Sequence, residues 1–591
     1  MSGAMAQAAR KRLGVTATRS GCCSGGVTNA RAGAAHAHKM SGASLECDYF
    51  RRGVCRSCAW LEVPYAEQIA RKQAIAAEAL APFVGTHCEI GSGHSEVEAG
   101  RGENGHGERA SVCTSGAASP GIWEQPWESV PASFRNKVKL VVTGTVKAPK
   151  LGILANPRTG AGADLRECPL PTLGIRAAIP ALAEFVRRAR LQPYNMRTDT
   201  GVLKYLIVTE APAGGGAPGN DAPARGGART RNGEGQLSNQ AAGSSEASAS
   251  SGQNALSNPS PEGSGLMVRF VVRRRGAQGA IFKHYAWLRE ALPMLRVCSI
   301  NLQPEHKAII EGSEEILVSA EGLLPMPLVL RDAGSDSERQ LAMSDGGHQL
   351  TLFSAPQSFF QTNSEAAAQL YRRAQEWLGD ALRNVPAGAS GHAPENQLAS
   401  SALVDQPADA LAAGALADKQ EYALAGGTPP ANGHERGAAE LRTVWDLYCG
   451  VGGFGLAVAL ADPRVRVASI ESSASAVASA EAAAGAAALA ARASFVASDA
   501  LEWARAQQAS RAALPDAVIV NPPRRGIGAP LAQWLNHSGI PLILYSSCNI
   551  HTMAADLSKM PEYAVTRAQV VDMFPHTEHF ETITLLARRS A

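Results

Sequence analysis

From Thr443 to the C-terminus, short apolar runs alternate with stretches of helical character. The runs are Thr443–Tyr448, Val465–Ile470, Ala493–Val496, Ala517–Val520, Leu542–Ser546 and Thr582–Leu586, and the Ala-rich Ser475–Ala491 is one of the helical separators. Such alternation is the signature of an α/β fold built on a doubly wound, Rossmann-like sheet, with ligands taken at the carboxyl ends of the strands. A chain of 591 residues has room for two to four domains, so this sheet accounts for only part of it.

Composition locates the rest. The apolar fraction is 45%, but aromatics supply only 5% and Ala alone numbers more than a hundred. Methyl groups bury little area each, so the core-forming sequence is shorter than the chain. Residues 1–45 lack Asp and Glu but carry Arg10, Lys11, Arg12, Arg19, Arg31 and Lys39; they read as an organellar transit peptide or as a plain disordered extension. Between Ala211 and Gly265 the only large apolar residues are Leu237 and Leu256. Residues 385–440 are similar, with a short helix open around Leu403–Leu424, and 85–121 is rich in Gly, Ser, Glu and His. Such compositions do not offset their ordering entropy and read as disordered insertions.

The remaining sequence divides into a Cys-bearing region at 46–84, a central β-rich α+β domain at 122–350, expected to face the RNA, and the α/β domain at 351–591. Val138–Val146, Val202–Thr209 and Leu266–Val272 read as strands, the last two as one hairpin with an expanded connection. Leu170–Arg190 and Ser364–Trp377 have helical apolar spacing, with Asn363 as N-cap of the second. No run approaches the roughly 20 apolar residues of a membrane helix. A net charge of +3 does not by itself announce nucleic-acid binding. Eleven unevenly spaced Cys argue for reduced, chemical or metal-binding thiols over a disulfide scaffold.

The first strand of the α/β domain runs into Cys449-Gly450-Val451-Gly452-Gly453-Phe454-Gly455, a turn through which a cofactor can approach backbone at a helix N-terminus. Asp446 sits inside the strand end, and the second strand ends at Glu471, whose carboxylate can accept from both hydroxyls of a ribose. The combination favours S-adenosylmethionine over a nicotinamide dinucleotide, although Glu471 also fits a solvated strand-end acid. Asp499 follows the third strand and is a candidate neighbour for an adenine. The fourth strand gives Asn521-Pro522-Pro523-Arg524-Arg525-Gly526. In enzymes that methylate exocyclic amines an aromatic follows Asn-Pro-Pro; Arg524 stands there instead and disfavours that chemistry.

The fifth strand ends in Tyr545-Ser546-Ser547-Cys548-Asn549. Carbon 5 of uracil is a poor nucleophile, but addition of a thiolate at carbon 6 turns the ring into an enolate that can attack a methyl group. The carbon 5 proton must then leave so that the thiolate is eliminated. This needs a Cys of lowered pKa and a general base. Cys548 is the candidate nucleophile, against the alternative of an inert packed thiol. Glu581 is the candidate base, with Glu578 and His579 as rivals.

The segments Asp446–Gly452, Asn521–Gly526, Ser546–Asn549 and Phe574-Pro575-His576-Thr577 resemble the RNA uracil-5 methyltransferase family, and the similarity is to its branch acting on uridine 747 of 23S ribosomal RNA. The resemblance implies that Cys548 is the nucleophile and Glu581 the proton acceptor, and that Gln361, Tyr448, Glu471 and Asn521 bind the methyl donor S-adenosyl-L-methionine. Tyr448 stands where the family commonly has Phe, and its ring keeps the stacking surface. Some relatives carry an extra N-terminal β-barrel, which is not expected in the 46 residues before Cys47.

Cys47, Cys55, Cys58 and the distant Cys168 form a four-thiolate set that suits zinc or an iron–sulfur cluster, and spacing does not choose between them. The family's pattern points to [4Fe–4S], in a structural or RNA-holding role. Phe134-Arg135-Asn136-Lys137-Val138-Lys139 combines a ring with three cations and is a candidate RNA-contacting patch, or else a solvated charge run. The expected partner is a 23S ribosomal RNA loop with a flipped uridine. No membrane contact is expected, the chain is expected to be a monomer, and its setting the bacterial cytoplasm, or a plastid or mitochondrion if residues 1–45 are a transit peptide. Rival readings are the same chemistry on transfer RNA or another ribosomal site, and a non-catalytic RNA-binding iron–sulfur protein.

Overall fold

A computed structural model describes residues 45–84, 121–156, 160–212, 265–305, 310–330, 348–384 and 440–589. The four stretches read as disordered, with the possible helix at Leu403–Leu424, fall almost wholly outside these residues.

The central domain is a seven-stranded sheet. Its strands are β1 (Lys137–Gly144), β2 (Pro149–Asn156), β3 (Ala161–Asp164), β4 (Leu203–Glu210), β5 (Leu266–Val272), β6 (Leu295–Leu302) and β7 (Glu314–Leu317). The spatial order is β3-β2-β1-β4-β5-β6-β7. β4 and β5 pair antiparallel from Leu203↔Val272 to Glu210↔Leu266, which is the hairpin expected from sequence. β5 and β6 are parallel, and helix Gln278–Ala291 makes the crossover between them. Alternation on β1 sends Val138, Leu140 and Val142 into a core under that helix and helix Leu173–Arg188. Ile175, Ile179, Leu182, Phe185 and Val186 line the buried stripe of the latter helix at three- and four-residue spacing.

A hairpin of β8 (Leu324–Leu330) and β9 (His348–Ser354) leads to helix Ser364–Asn384. Asn363 Oδ1 accepts from Ala366 N at 3.3 Å, so the expected N-cap is in place. Trp377 and Leu370 of this helix share one apolar core with β8, β9 and one face of the C-terminal sheet.

That sheet contains β10 (Arg442–Leu447), β11 (Val465–Glu471), β12 (Ala493–Ala497), β13 (Ala517–Val520), β14 (Leu542–Ser547), β15 (Tyr563–Val571) and β16 (Glu581–Arg588), in the order β12-β11-β10-β13-β14-β16-β15. Six of the seven strands coincide with the apolar runs seen in the sequence. β15 escaped that reading because Thr566, Arg567 and Gln569 interrupt its apolar content and a register irregularity falls between Val565 and Arg567. Strands β10 to β14 are parallel, and β16 enters antiparallel to β14 with Ser547↔Thr582 opposite. The start of β16 therefore lies at the same edge as the ends of β10, β13 and β14. Among the described residues no helix is long and apolar enough to cross a membrane.

Candidate active site

At that shared edge β10 ends in the Gly-rich turn. Asp446 is buried, accepts from Gly455 N at 2.9 Å through Oδ2, and is pushed up to about 7 by burial, with Glu471 adding to the effect. Glu471 closes the turn from the neighbouring strand: Oε2 accepts from Gly450 N at 3.1 Å and Oε1 from Ser473 N at 3.0 Å. A Cβ at Gly453 would stand 2.3 Å from Tyr371 Cζ, so only Gly lets this turn pack on helix Ser364–Asn384. Tyr448 holds a φ of 67°, a left-handed backbone uncommon for a bulky residue. It lines a cavity of about 210 Å³ together with Asp499, Leu501, Arg525, Ile527 and Leu531. Asp499 Oδ1 is committed to capping the next helix, accepting from Leu501 N and Glu502 N.

The loop after Asn521 is shaped by a residue that the sequence reading passed over. Buried Asp556 accepts from Ile527 N at 2.8 Å, Gly528 N at 3.2 Å and Tyr545 Oη at 2.7 Å. Gly526 takes a φ of 79°, and a Cβ there would stand 2.3 Å from Asp556 Oδ2. Asn521 Nδ2 donates to Ser546 O at 3.2 Å, linking β13 to β14 at their tips. Gln361 lies in the loop before helix Ser364–Asn384. Its backbone carbonyl accepts from Asn136 Nδ2 at 3.0 Å, and its nearly buried side chain makes no hydrogen bond among the described residues.

Cys548 is half-buried at the end of β14. Its thiol is pushed up by burial and by Glu581, against the opposing pull of the Arg524 guanidinium that hydrogen-bonds it. This corrects the expectation of a lowered pKa: burial and Glu581 together outweigh Arg524. Glu581 is pushed up to about 8 by burial, with the Ser546 hydroxyl and Arg524 pulling the other way. Its Oε2 is buried without a hydrogen-bond partner among the described residues. Of the rival bases, Glu578 is exposed, and His579 is lowered by burial and by Arg524 and sits edge-on to Phe574. Ser546 and Arg524, as the groups that set the charge of Glu581 and Cys548, needed the structure to be found.

The segment Phe574-Pro575-His576-Thr577 is a docking point. His576 is buried; its Nε2 lies 2.8 Å from Pro131 O, and its backbone N donates to Gln68 Oε1 at 2.9 Å.

The expected RNA patch is corrected. Phe134 and Asn136 are buried, Arg135 is packed beside Cys168 and Cys58, and Lys137 is desolvated near Arg269. Only Lys139 is exposed, because the segment enters β1 and alternate residues turn into the core. Phe134 instead caps a small apolar cluster with Cys58, Leu61 and Leu170, against which Cys47 and Cys168 pack. The Cys58 thiol is pushed up to about 12 by burial and then by Cys168, Cys55 and Cys47, so the four sulfurs share one neighbourhood. Even so, among the described residues no group of three or more His, Cys, Asp or Glu side chains is arranged to hold a metal ion. The donor set has the soft chemistry of a thiolate-bound metal, but its spacing is not that of a formed centre.

The turn Gly450, Gly452, Gly455 has the G-x-G-x-x-G spacing that dinucleotide sites share, so the choice of ligand needs more than the turn. The family profile described as tRNA (Uracil-5-)-methyltransferase matches residues 438–589. The 23S rRNA (uracil(747)-C(5))-methyltransferase RlmC of Serratia proteamaculans is 31% identical over 92% of this chain and all of the relative. The enzyme of the same name from Yersinia pseudotuberculosis is 32% identical, again over 92% of this chain and all of its own length. In fold, the chain resembles the crystal structure of Pyrococcus abyssi tRNA (uracil-54, C5)-methyltransferase in complex with S-adenosyl-L-homocysteine. That match has a TM-score of 0.51 at 17% identity, covering 90% of this chain and 86% of the other. With relatives at this identity matched over their whole length, the chain belongs to the RNA uracil-5 methyltransferase family.

Proposed function

We propose that the protein transfers a methyl group from S-adenosyl-L-methionine to carbon 5 of a uridine in 23S ribosomal RNA, at the position-747 type of site. The observation that carries this reading is the meeting of Cys548, Arg524 and buried Glu581 at one sheet edge, beside the Gly-rich turn. Full-length similarity to enzymes named for uridine 747 supports the ribosomal substrate. The bound donor would supply an electrophilic methyl group on a sulfonium. Glu471 would accept from the ribose hydroxyls, Tyr448 would offer its ring beside the Asp499 cavity, and Asn521 and Gln361 would meet the amino-acid end. The fit rests on a cavity of about 210 Å³ lined by the Tyr448 ring, Leu501, Ile527 and Leu531 with Asp499 and Arg525 as its charged groups, and on the free Gln361 amide.

Within the cleft Arg524 favours the thiolate of Cys548, which adds to carbon 6 of the uracil. Carbon 5 then takes the methyl group. Glu581 in its ionised form, which gains population as pH rises toward about 8, removes the carbon 5 proton, and the carbon–sulfur bond breaks as the ring double bond is restored. A uridine must leave its stack to reach Cys548 in this cleft. The reading takes the protein as a monomer working where ribosomes are assembled: the bacterial cytoplasm, or an organelle if residues 1–45 act as a transit peptide.

We further propose that Cys47, Cys55, Cys58 and Cys168 hold a four-iron cluster, with zinc as the alternative; four soft thiols gathered from two segments support it. No step of the transfer runs through it. Anaerobically purified protein should contain iron and absorb broadly at roughly 400 nm; zinc without that absorption would select the alternative, and neither metal would remove the proposal.

The decisive experiment incubates the protein with labelled methyl donor and unmodified 23S ribosomal RNA or transfer RNA, then maps the product. 5-Methyluridine in the ribosomal RNA is expected. Product in transfer RNA alone would move the substrate, and no product in either would refute the enzyme reading.

A further inference from the structure

The central sheet has one face under helices and another that is only partly covered. On β1, Lys139, Val141 and Thr143 point opposite to the core residues Val138, Leu140 and Val142. They floor a groove of about 590 Å³, closed on one side by β2 and β3 and on the other by the turn after helix Leu173–Arg188. An irregularity in the β4–β5 register between Leu203 and Tyr205 accompanies a local break in alternation, and Lys204 and Tyr205 both line the groove.

The chemistry of this lining is one-sided. Lys139, Lys150 and Arg197 offer three cations, and the lining residues include no Asp or Glu; the fourth, Lys204, is buried and donates to Gln303 Oε1 and to Glu305 O, so it braces the wall. Two rings, Tyr194 and Tyr205, stand among them. Lys139 Nζ lies 5.3 Å from the Tyr205 ring centre, and Lys204 Nζ lies 4.9 Å from that of Tyr194. Asp199, which accepts from Tyr194 Oη, is ion-paired with Arg273. Cations bordering aromatic faces on a sheet surface suit a single-stranded nucleic acid, whose phosphates meet the cations while its bases stack. The volume lies within the range of small-ligand sites and accommodates a nucleotide.

The groove is also connected to the methyltransferase site. Asn136, just ahead of β1, donates through Nδ2 to Gln361 O at 3.0 Å and to Ser364 Oγ at 2.6 Å. Lys139 is three residues farther along, a span of about 10 Å at strand rise. One rigid strand thus runs from the Gln361 loop into the groove.

We propose that this groove, floored by Lys139 and Tyr205 and rimmed by Lys150, Tyr194 and Arg197, binds single-stranded nucleotides of the substrate RNA that flank the uridine. The proposal rests on the reading of RNA as substrate and adds the place where its flank is held. Specificity for one RNA then comes from two contacts set at a fixed separation, one at Cys548 and one on the central sheet.

The test uses the full-length protein, a 23S ribosomal RNA fragment carrying the target loop, and the variants Lys139→Glu, Tyr205→Ala and Tyr205→Phe. Binding is followed by fluorescence anisotropy across salt concentrations, alongside methylation kinetics and the donor Kd. Lys139→Glu should weaken RNA binding about 10-fold and lower the salt slope by about 1 to 2. Tyr205→Ala should weaken it about 10-fold, and Tyr205→Phe should restore it, because the ring does the stacking. KM for RNA should rise in the two weakened variants while the donor Kd stays put. Wild-type RNA affinity and KM in Lys139→Glu and Tyr205→Ala would overturn the groove while leaving the enzyme reading intact. Loss of RNA binding in these variants, in a protein that methylates no RNA, would do the reverse. Competition by polyglutamate as strong as by an RNA of equal charge would also overturn it, since stacking would then play no part.

Discussion

Lys72 Nζ lies 2.6 Å from Asp572 Oδ1, and both side chains are wholly buried. The two residues are 500 positions apart, one on helix Tyr65–Leu80 and the other on the turn that leads to Glu581. Tyr65 Oη donates to the second Asp572 oxygen at 2.6 Å, and Lys72 also donates to Phe574 O at 3.1 Å. The Cys-bearing segment is thereby fastened to the turn before the proposed base.

Removing one partner of such a pair strands the other as a buried charge. Lys72→Met should destabilise the protein by about 3–5 kcal/mol, and Lys72→Met combined with Asp572→Leu should recover most of the loss. Denaturant melts of the two variants check this. Equal losses in both would mean that packing of the stems, and not the stranded charge, dominates.

The proposed chemistry separates Cys548 from Glu581. Cys548→Ala should abolish methyl transfer and leave no covalent RNA adduct. Glu581→Gln should allow addition and methylation yet stall elimination, so a methylated RNA adduct should accumulate with release of product RNA, and hence turnover, slowed at least ~100-fold. Denaturing gels with labelled RNA distinguish the two. An adduct in Cys548→Ala would assign the nucleophile to another thiol.

Glu581 also sets a pH dependence of stability. Its folded pKa of about 8 lies above the ordinary 4.5, so between these values the folded state holds a proton that the unfolded chain has released. The residue therefore favours folding most below about 4.5, and that contribution is lost as pH rises to about 8. The slope approaches ~1.4 kcal/mol per pH unit in that window. Glu581→Gln removes it, so the stability of the variant relative to wild type should grow by a few kcal/mol from roughly pH 5 to 8. Parallel stability curves for the two proteins would show that Glu581 is solvated.

Much of the catalytic domain was legible locally. A run such as Ala517–Val520 is apolar because both its faces are covered, and its own residues record that. The ends of such runs put Tyr448, Asn521 and Cys548 at the carboxyl edge, as parallel strands require. The Gly-rich turn and Glu471 followed from the same reasoning. The central sheet was less readable, since strands such as Ala161–Asp164 carry little apolar signal of their own.

Other features depend on what packs above a residue, which no local window contains. The antiparallel entry of β16 brings Glu581 to the edge that holds Cys548. Burial there raises both groups, where sequence reasoning expected a lowered thiol. Phe134 and Arg135 looked like an exposed patch, but the Cys-bearing segment covers them and leaves Lys139 to face the groove with Tyr205. Sequence alone determined the sheet, its active edge and the residue types gathered there, because apolar periodicity and turn chemistry are written in neighbouring residues. Only tertiary structure decided their charge states, the Lys72–Asp572 fastening and which cations stay in water, because desolvation and Coulomb interaction sum over residues hundreds of positions apart.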